Sequence, residues 1–216
     1  MKTKLHFALI ALLLLPASIA HADSPPETTS TASTPYSLNH DFRFDVSTGI
    51  MKTSSSDGGF TLGATVLRRS GFFEYGLDTT LGNQLFSYSY GQVNAAGGLG
   101  LQTRFGLRLD ALGEFGGTYY NGVGKELLSS NPGVNGIAPS VRAKVGASYV
   151  FSPMARDHFV VGLWLYGDDD LTRETKSIAY AQNDGFRPGT TRVTESETIG
   201  TSRLGAMVSL GGVLPF

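Results

Sequence analysis

The stretch VRAKVGASYVF, residues 141–151, decides the fold. Val141, Ala143, Val145, Ala147, Tyr149 and Phe151 form one phase of a two-residue alternation, and Arg142, Lys144, Gly146 and Ser148 form the other. A period of two is that of a strand whose two faces meet different surroundings, and no amphipathic helix produces it. The same rhythm extends in both directions, so the chain reads as all-β.

Upstream, Phe42, Phe44, Val46, Thr48 and Ile50 alternate with Arg43, Asp45, Ser47 and Gly49. Phe60, Leu62, Ala64 and Val66 mark a second strand, and Phe73, Tyr75, Leu77 and Leu81, set against Glu74, Gly76, Asp78 and Thr80, a third. Val93, Ala95, Leu99 and Leu101 carry the fourth; Phe105, Leu107, Leu109, Ala111 and Phe115, opposite Arg108, Asp110, Glu114, Gly116 and Thr118, the fifth. Downstream of residues 141–151, the run from His158 to Gly167 is apolar on both faces and leaves its phase open. An eighth strand sets Leu204, Ala206, Val208, Leu210, Leu214 and Phe216 against Arg203, Gly205, Ser209 and Gly211.

The connections after strands two, four and six are short, around Ser70-Gly71, Thr103-Arg104 and Pro153 to Asp157. Those after the odd strands are longer, the last two running from about Asn121 to Ile137 and from Asp168 to about Thr194. Short turns at one end and long loops at the other are the pattern of bacterial transmembrane barrels, whose short turns face the periplasm. The expected fold is an eight-stranded antiparallel up-and-down transmembrane β-barrel over 40–216.

Two segments precede it. Residues 1–22 read as a signal peptide, with Lys2 and Lys4, an apolar run from Phe7 to Leu15 and the small-x-small site Ala20, His21, Ala22. Residues 23–39, rich in Pro, Thr and Ser, read as a flexible periplasmic leader with too little apolar surface to offset its ordering entropy. The apolar run is shorter than the ~20 residues a spanning helix needs.

Alternation by itself also fits a soluble lipocalin-like barrel or a periplasmic sandwich, with the apolar phase inside. Three features favour the apolar phase outside. The polar phase is crowded with glycine (28 in the chain), which suits a narrow interior. It also holds Arg43, Arg108, Arg142, Lys144 and Arg203 against Asp45, Glu74, Asp78, Asp110 and Glu114, five of each sign, as a lumen charge network must nearly balance. Finally, Phe42, Phe44, Phe73, Tyr75, Phe105, Tyr149, Phe151 and Phe159 fall near the short-turn strand ends, together with Phe216, as an aromatic girdle at a bilayer interface. Phe60, Phe115, Tyr119 and Tyr166 would supply a sparser row at the other end.

The absence of cysteine excludes disulfides, thiolate metal sites and thiol nucleophiles. A formal charge of −1 argues against nucleic acid as partner.

The final strand, closing on Phe216, resembles the signal that outer-membrane proteins present to the barrel assembly machinery. With the signal peptide and the turn rhythm, the chain resembles the small OmpA/OmpX-type barrel superfamily, over nearly its whole mature length. The resemblance implies multi-pass residence in the cell outer membrane of a Gram-negative bacterium, with outer-membrane lipid, lipopolysaccharide and the assembly machinery as partners. The chain is not expected to carry the peptidoglycan-binding domain of full OmpA proteins.

No catalytic, cofactor or metal residues are assigned. Outer-membrane enzymes that modify lipid A use Ser and His at the outer rim, whereas His40 and His158 fall at short-turn strand ends as interfacial or turn residues. Asp168, Asp169 and Asp170 read as a solvated acidic loop, lacking the Gly and distal Glu of a calcium loop. Gly122, Gly124 and Lys125 only superficially match a phosphate-binding loop, since Glu126 stands where Ser or Thr is needed. Phe86, Tyr88 and Tyr90 either extend a hairpin or form an exposed aromatic edge; Trp164 and Tyr166 read as an interface anchor or an interior plug. The expected role is non-enzymatic, with a side-chain-filled lumen and loops that meet an extracellular partner. A small porin or OmpW-like transporter and a lipid A-modifying enzyme are the alternatives.

Overall fold

A computed structural model describes residues 40–54, 58–84, 88–103, 105–125, 131–151, 158–183 and 190–215. The signal peptide, the leader, Phe86, the turn residues 153–157 and Phe216 lie outside them.

Ten strands follow one another: β1 His40–Thr53, β2 Gly58–Ser70, β3 Phe73–Gln84, β4 Ser89–Gln102, β5 Leu107–Val123, β6 Val134–Phe151, β7 His158–Asp170, β8 Glu174–Asn183, β9 Thr190–Ile199 and β10 Ser202–Pro215. Eight of them close an antiparallel barrel in the order β1-β10-β7-β6-β5-β4-β3-β2. Closure is made by β1 on β10, from Asp41 opposite Pro215 to Thr53 opposite Arg203, so the barrel has no free edge. The β2–β3 turn is a two-residue loop, with Gly71 at φ 64° supplying the positive φ that a tight hairpin demands.

The loop expected from Asp168 to Thr194 is corrected by the structure. β7 continues to Asp170, and β8 and β9 pair as a separate two-stranded sheet. Thr, Val and Ile favour the extended chain in β9, but Thr194, Glu195, Ser196, Glu197 and Thr198 give neither face an apolar stripe. The hairpin therefore forms outside the barrel wall, held by the hydroxyl pairs Thr175–Thr198 at 3.3 Å and Ser177–Ser196 at 3.2 Å. The long connection between the fifth and sixth strands is also shorter than expected, since β5 reaches Val123 and β6 begins at Val134.

In every barrel strand the apolar phase faces out. Val46, Leu77, Leu109, Val145, Leu163 and Leu210 are exposed on the wall, while the polar phase lines an interior that water does not reach. The open phase of β7 resolves with Phe159, Leu163 and Leu165 outward and Val160, Trp164 and Tyr166 inward. Tyr166 thus leaves the outer aromatic row, and Trp164 and Tyr166 fill the interior. A rare polar residue on the wall, Thr79, satisfies its hydroxyl on the Ala64 carbonyl at 3.2 Å.

Interior glycines serve two physical ends beyond saving volume. A β-carbon on Gly76 or Gly98 would run into the Val66 or Ala111 carbonyl of the adjacent strand, and the same holds at Gly49, Gly116 and Gly211. Those are points where the wall bends tightly enough to bring neighbouring backbone over the residue. Gly82, Gly146 and Gly205 instead stand directly opposite Tyr90, Trp164 and Tyr166. Each is covered by the ring of its cross-strand partner, so the missing side chain is the seat of the ring. Gly146→Val is accordingly expected to destabilise the barrel by about 1–3 kcal/mol through overpacking. Adding Trp164→Leu should recover part of that loss in the heat-induced gel shift of the folded barrel; a neutral Gly146→Val would refute the seat.

Candidate functional site

The lumen holds two sets of ion pairs with the Trp164 ring between them, the first at the short-turn end. Arg43 pairs with Asp45 and Asp110, each at 2.7 Å. Arg108 donates to Asp110 at 2.9 Å and to Glu74, and lies 3.6 Å from Asp41. Arg69 donates to the Gly71 and Gly100 carbonyls at 2.8 and 2.7 Å, fastening the β2–β3 turn to the end of β4.

Midway, Asp78 accepts from Arg142 at 2.9 Å, Lys144 at 2.7 Å and Thr65 at 2.6 Å. Arg142 is the hub of this level. It also donates to Thr80 at 2.9 Å, to Gln92 and to Asp168 at 3.2 Å, with Glu114 3.5 Å away. Toward the long-loop end, Arg203 donates to Asp168 at 2.6 Å and Asp170 at 3.3 Å, and the Tyr120 hydroxyl bridges Arg203 and Asp170. Rings complete the cations' surroundings: Arg43 and Lys144 lie 5.2 and 4.6 Å from Trp164, Arg142 4.8 Å from Tyr166, and Arg203 4.5 Å from Tyr90. Such contacts strengthen when desolvated.

All ten charged residues singled out in the sequence are buried in the lumen, and the structure adds Asp41, Arg69, Asp168 and Asp170. Two expectations need correction. The acidic triplet is no solvated loop, because Asp168 and Asp170 continue the inward phase of Trp164 and Tyr166 and end on Arg142 and Arg203. The balance of five against five becomes six cations against eight carboxylates among the described residues, an acidic surplus. The phase of β7 was the missing signal; once Trp164 faces in, both aspartates follow at steps of two. Tyr120 and Tyr90, also inward, were missed as network members because a phenol reads as readily outward.

Tyr90 is buried and Tyr88 half-buried, so neither forms the exposed aromatic edge considered for them. His158 is likewise a buried interior residue at the start of β7 rather than a turn or interfacial one. Among the described residues no group of three or more His, Asp or Glu side chains is arranged to hold a metal ion.

Phe44, Phe73, Tyr75, Tyr149, Phe151 and Phe159 are exposed on the wall near the short-turn end, Phe105 is exposed in the β4–β5 turn, and Phe42 is half-exposed. Phe72, in the β2–β3 turn, joins them. Tyr149, Phe151 and Phe159 form a contiguous run, with centroids 4.9 and 6.0 Å apart. Toward the long-loop end the wall presents Phe60, Phe115 and Tyr119. No protein-family model and no curated protein matches the sequence. Among solved structures, the crystal structure of Neisserial surface protein A (NspA) aligns at 13% identity, over 82% of this chain and 97% of that one, with a TM-score of 0.48.

The long-loop end carries a cavity of about 500 Å³ between the barrel mouth and β9, in the size range of small-molecule sites. Tyr120 and Tyr88 border it, their ring centroids 5.4 Å apart. Beneath Tyr120 lie Arg203 and Asp170, so the cavity ends where the lumen network begins. The hairpin is held over the mouth by Lys176 donating to the Asn135 carbonyl at 3.0 Å, Asn131 donating to Glu195 at 2.7 Å, and the buried Ile199 against Gly136. Burial pushes the Tyr88 phenol up to about 12, so it stays neutral at physiological pH.

Proposed function

We infer that this chain is a non-enzymatic integral protein of the bacterial outer membrane, with its short turns in the periplasm and its long-loop end at the cell surface. One observation carries the reading: an apolar wall surrounds an interior of paired charges, the reverse of a water-soluble protein. A wall of exposed Leu, Val and Phe on every barrel strand would aggregate in water, but it is the surface hydrocarbon requires. The aromatic row at the short-turn end suits the inner interface, where rings sit among head groups.

The interior supports a filled lumen in place of a diffusion path. Arg142, Lys144 and Trp164 cross it in mid-barrel, each at most 3% exposed. An eight-stranded barrel leaves space for little beyond its own side chains. Function then rests on the long-loop end, which is built for surface interaction by the β8–β9 hairpin and the cavity beside it.

Membrane fractionation combined with protease shaving of intact cells tests the placement. The protein is expected in the outer-membrane fraction, with cleavage confined to the β8–β9 region and the other long connections. Recovery as a water-soluble periplasmic protein would overturn it. In planar bilayers the purified protein should give no steady unitary conductance; reproducible steps would favour a transporter of small solutes instead.

A further inference from the structure

The geometry points to the cavity beside β9 as a binding site for a neutral, hydroxyl-rich ligand, namely a short segment of saccharide. This rests on the reading that the long-loop end faces the outside, and it deepens that reading by naming the ligand's chemistry. Ser54, Ser196, Thr198, Thr201, Gln84 and Tyr88 line the cavity, all of them groups that donate and accept hydrogen bonds without carrying charge. A hydroxyl has one donor and two acceptor positions, so Ser196 and Thr198, each in a single hydrogen bond with its partner across the hairpin, keep capacity for a ligand.

The charged lining residues do not define an ionic site. Arg173 donates from one guanidinium nitrogen to Asp169 at 3.2 Å and Ser202 at 3.0 Å, and Glu197 sets one negative charge in the lining against its positive one. A phosphate or carboxylate ligand would need an uncompensated cation, which the lining lacks. Tyr88, half-buried on Tyr120, adds a ring face of the kind that meets the C–H face of a sugar.

The test uses the full-length protein in a phosphocholine detergent, since glycoside detergents would compete. Saturation-transfer NMR against neutral oligosaccharides (maltotriose and chitotriose), a sialylated trisaccharide and inorganic phosphate reads the chemistry. Binding of a neutral sugar, weakened by about tenfold or more in both Thr198→Trp, which fills the cavity, and Tyr88→Ala, is the expected result. The gel shift of both variants should stay that of the folded barrel. Binding of phosphate alone, no binding by either neutral sugar, or sugar binding untouched by both variants would overturn the proposal. Since the chain lacks cysteine, Thr198→Cys offers a single thiol to a membrane-impermeant maleimide on intact cells. Labelling without sugar binding would leave the outward placement standing and retire the ligand, whereas sugar binding without labelling would retire the placement and keep the ligand.

Discussion

Arg142→Ala is expected to destabilise the barrel by about 3–5 kcal/mol, the cost of stranding buried charge. One guanidinium serves Asp78, Glu114 and Asp168 on three different strands, and each of these carboxylates is buried from bulk solvent. The acidic surplus makes the effect asymmetric. Losing a cation widens the surplus, whereas Glu114→Gln narrows it and leaves an amide oxygen that still accepts from Asn94, now at 3.1 Å from Glu114. Glu114→Gln should therefore cost no more than about 0.5–1.5 kcal/mol, the scale of one hydrogen bond. Urea unfolding in lipid vesicles, followed by the fluorescence of the chain's one tryptophan, separates the two values. Equal costs would mean that the lumen charges are hydrated and the ion pairs incidental.

A charge on the wall should be nearly as disruptive, provided it sits deep. Leu163→Arg, outward on β7 between Ala147 and Val208, is expected to lose about 2–4 kcal/mol by placing a guanidinium near the middle of the hydrocarbon. Leu109→Arg, closer to the aromatic row, should lose less, because its longer reach to head groups lets the charge snorkel. The native chain already makes this compromise: Arg68 is exposed on the wall, level with Phe42 and Tyr75 at the short-turn end. The same vesicle titrations order the two variants by depth. A loss well under one kcal/mol for Leu163→Arg would place that residue away from lipid.

The lumen and the wall are two sides of one arrangement. Hydrogen-bonded closure leaves the backbone no unpaired edge in the hydrocarbon, and the side chains then divide by phase alone. Filling the interior with ion pairs is costly in desolvation, and the rings of Trp164, Tyr166 and Tyr90 offset part of that cost by lying against the cations. Those rings fit because Gly146, Gly205 and Gly82 stand opposite them. Glycine content that reads as simple crowding in the sequence is thus, at these positions, a matched pair across the ladder.

What was legible in the chain itself was whatever follows from a period of two. The strands of residues 42–50 and 141–151, the outward row of Phe44, Tyr75 and Tyr149, and the inward Arg43, Asp78 and Arg142 each follow from local alternation, because a strand projects successive side chains to opposite faces irrespective of its partners. Tertiary structure alone decided the rest. β7 is apolar on both faces, so only its register between β6 and β10 turns Trp164 inward, and with it Asp168 and Asp170. The pairing of Arg142 with carboxylates from β3, β5 and β7, the seating of rings on glycines, and the hairpin beside the mouth depend on which residues the closed ladder sets side by side. Those neighbours are far apart in sequence, and a one-residue shift in register would exchange every one of them.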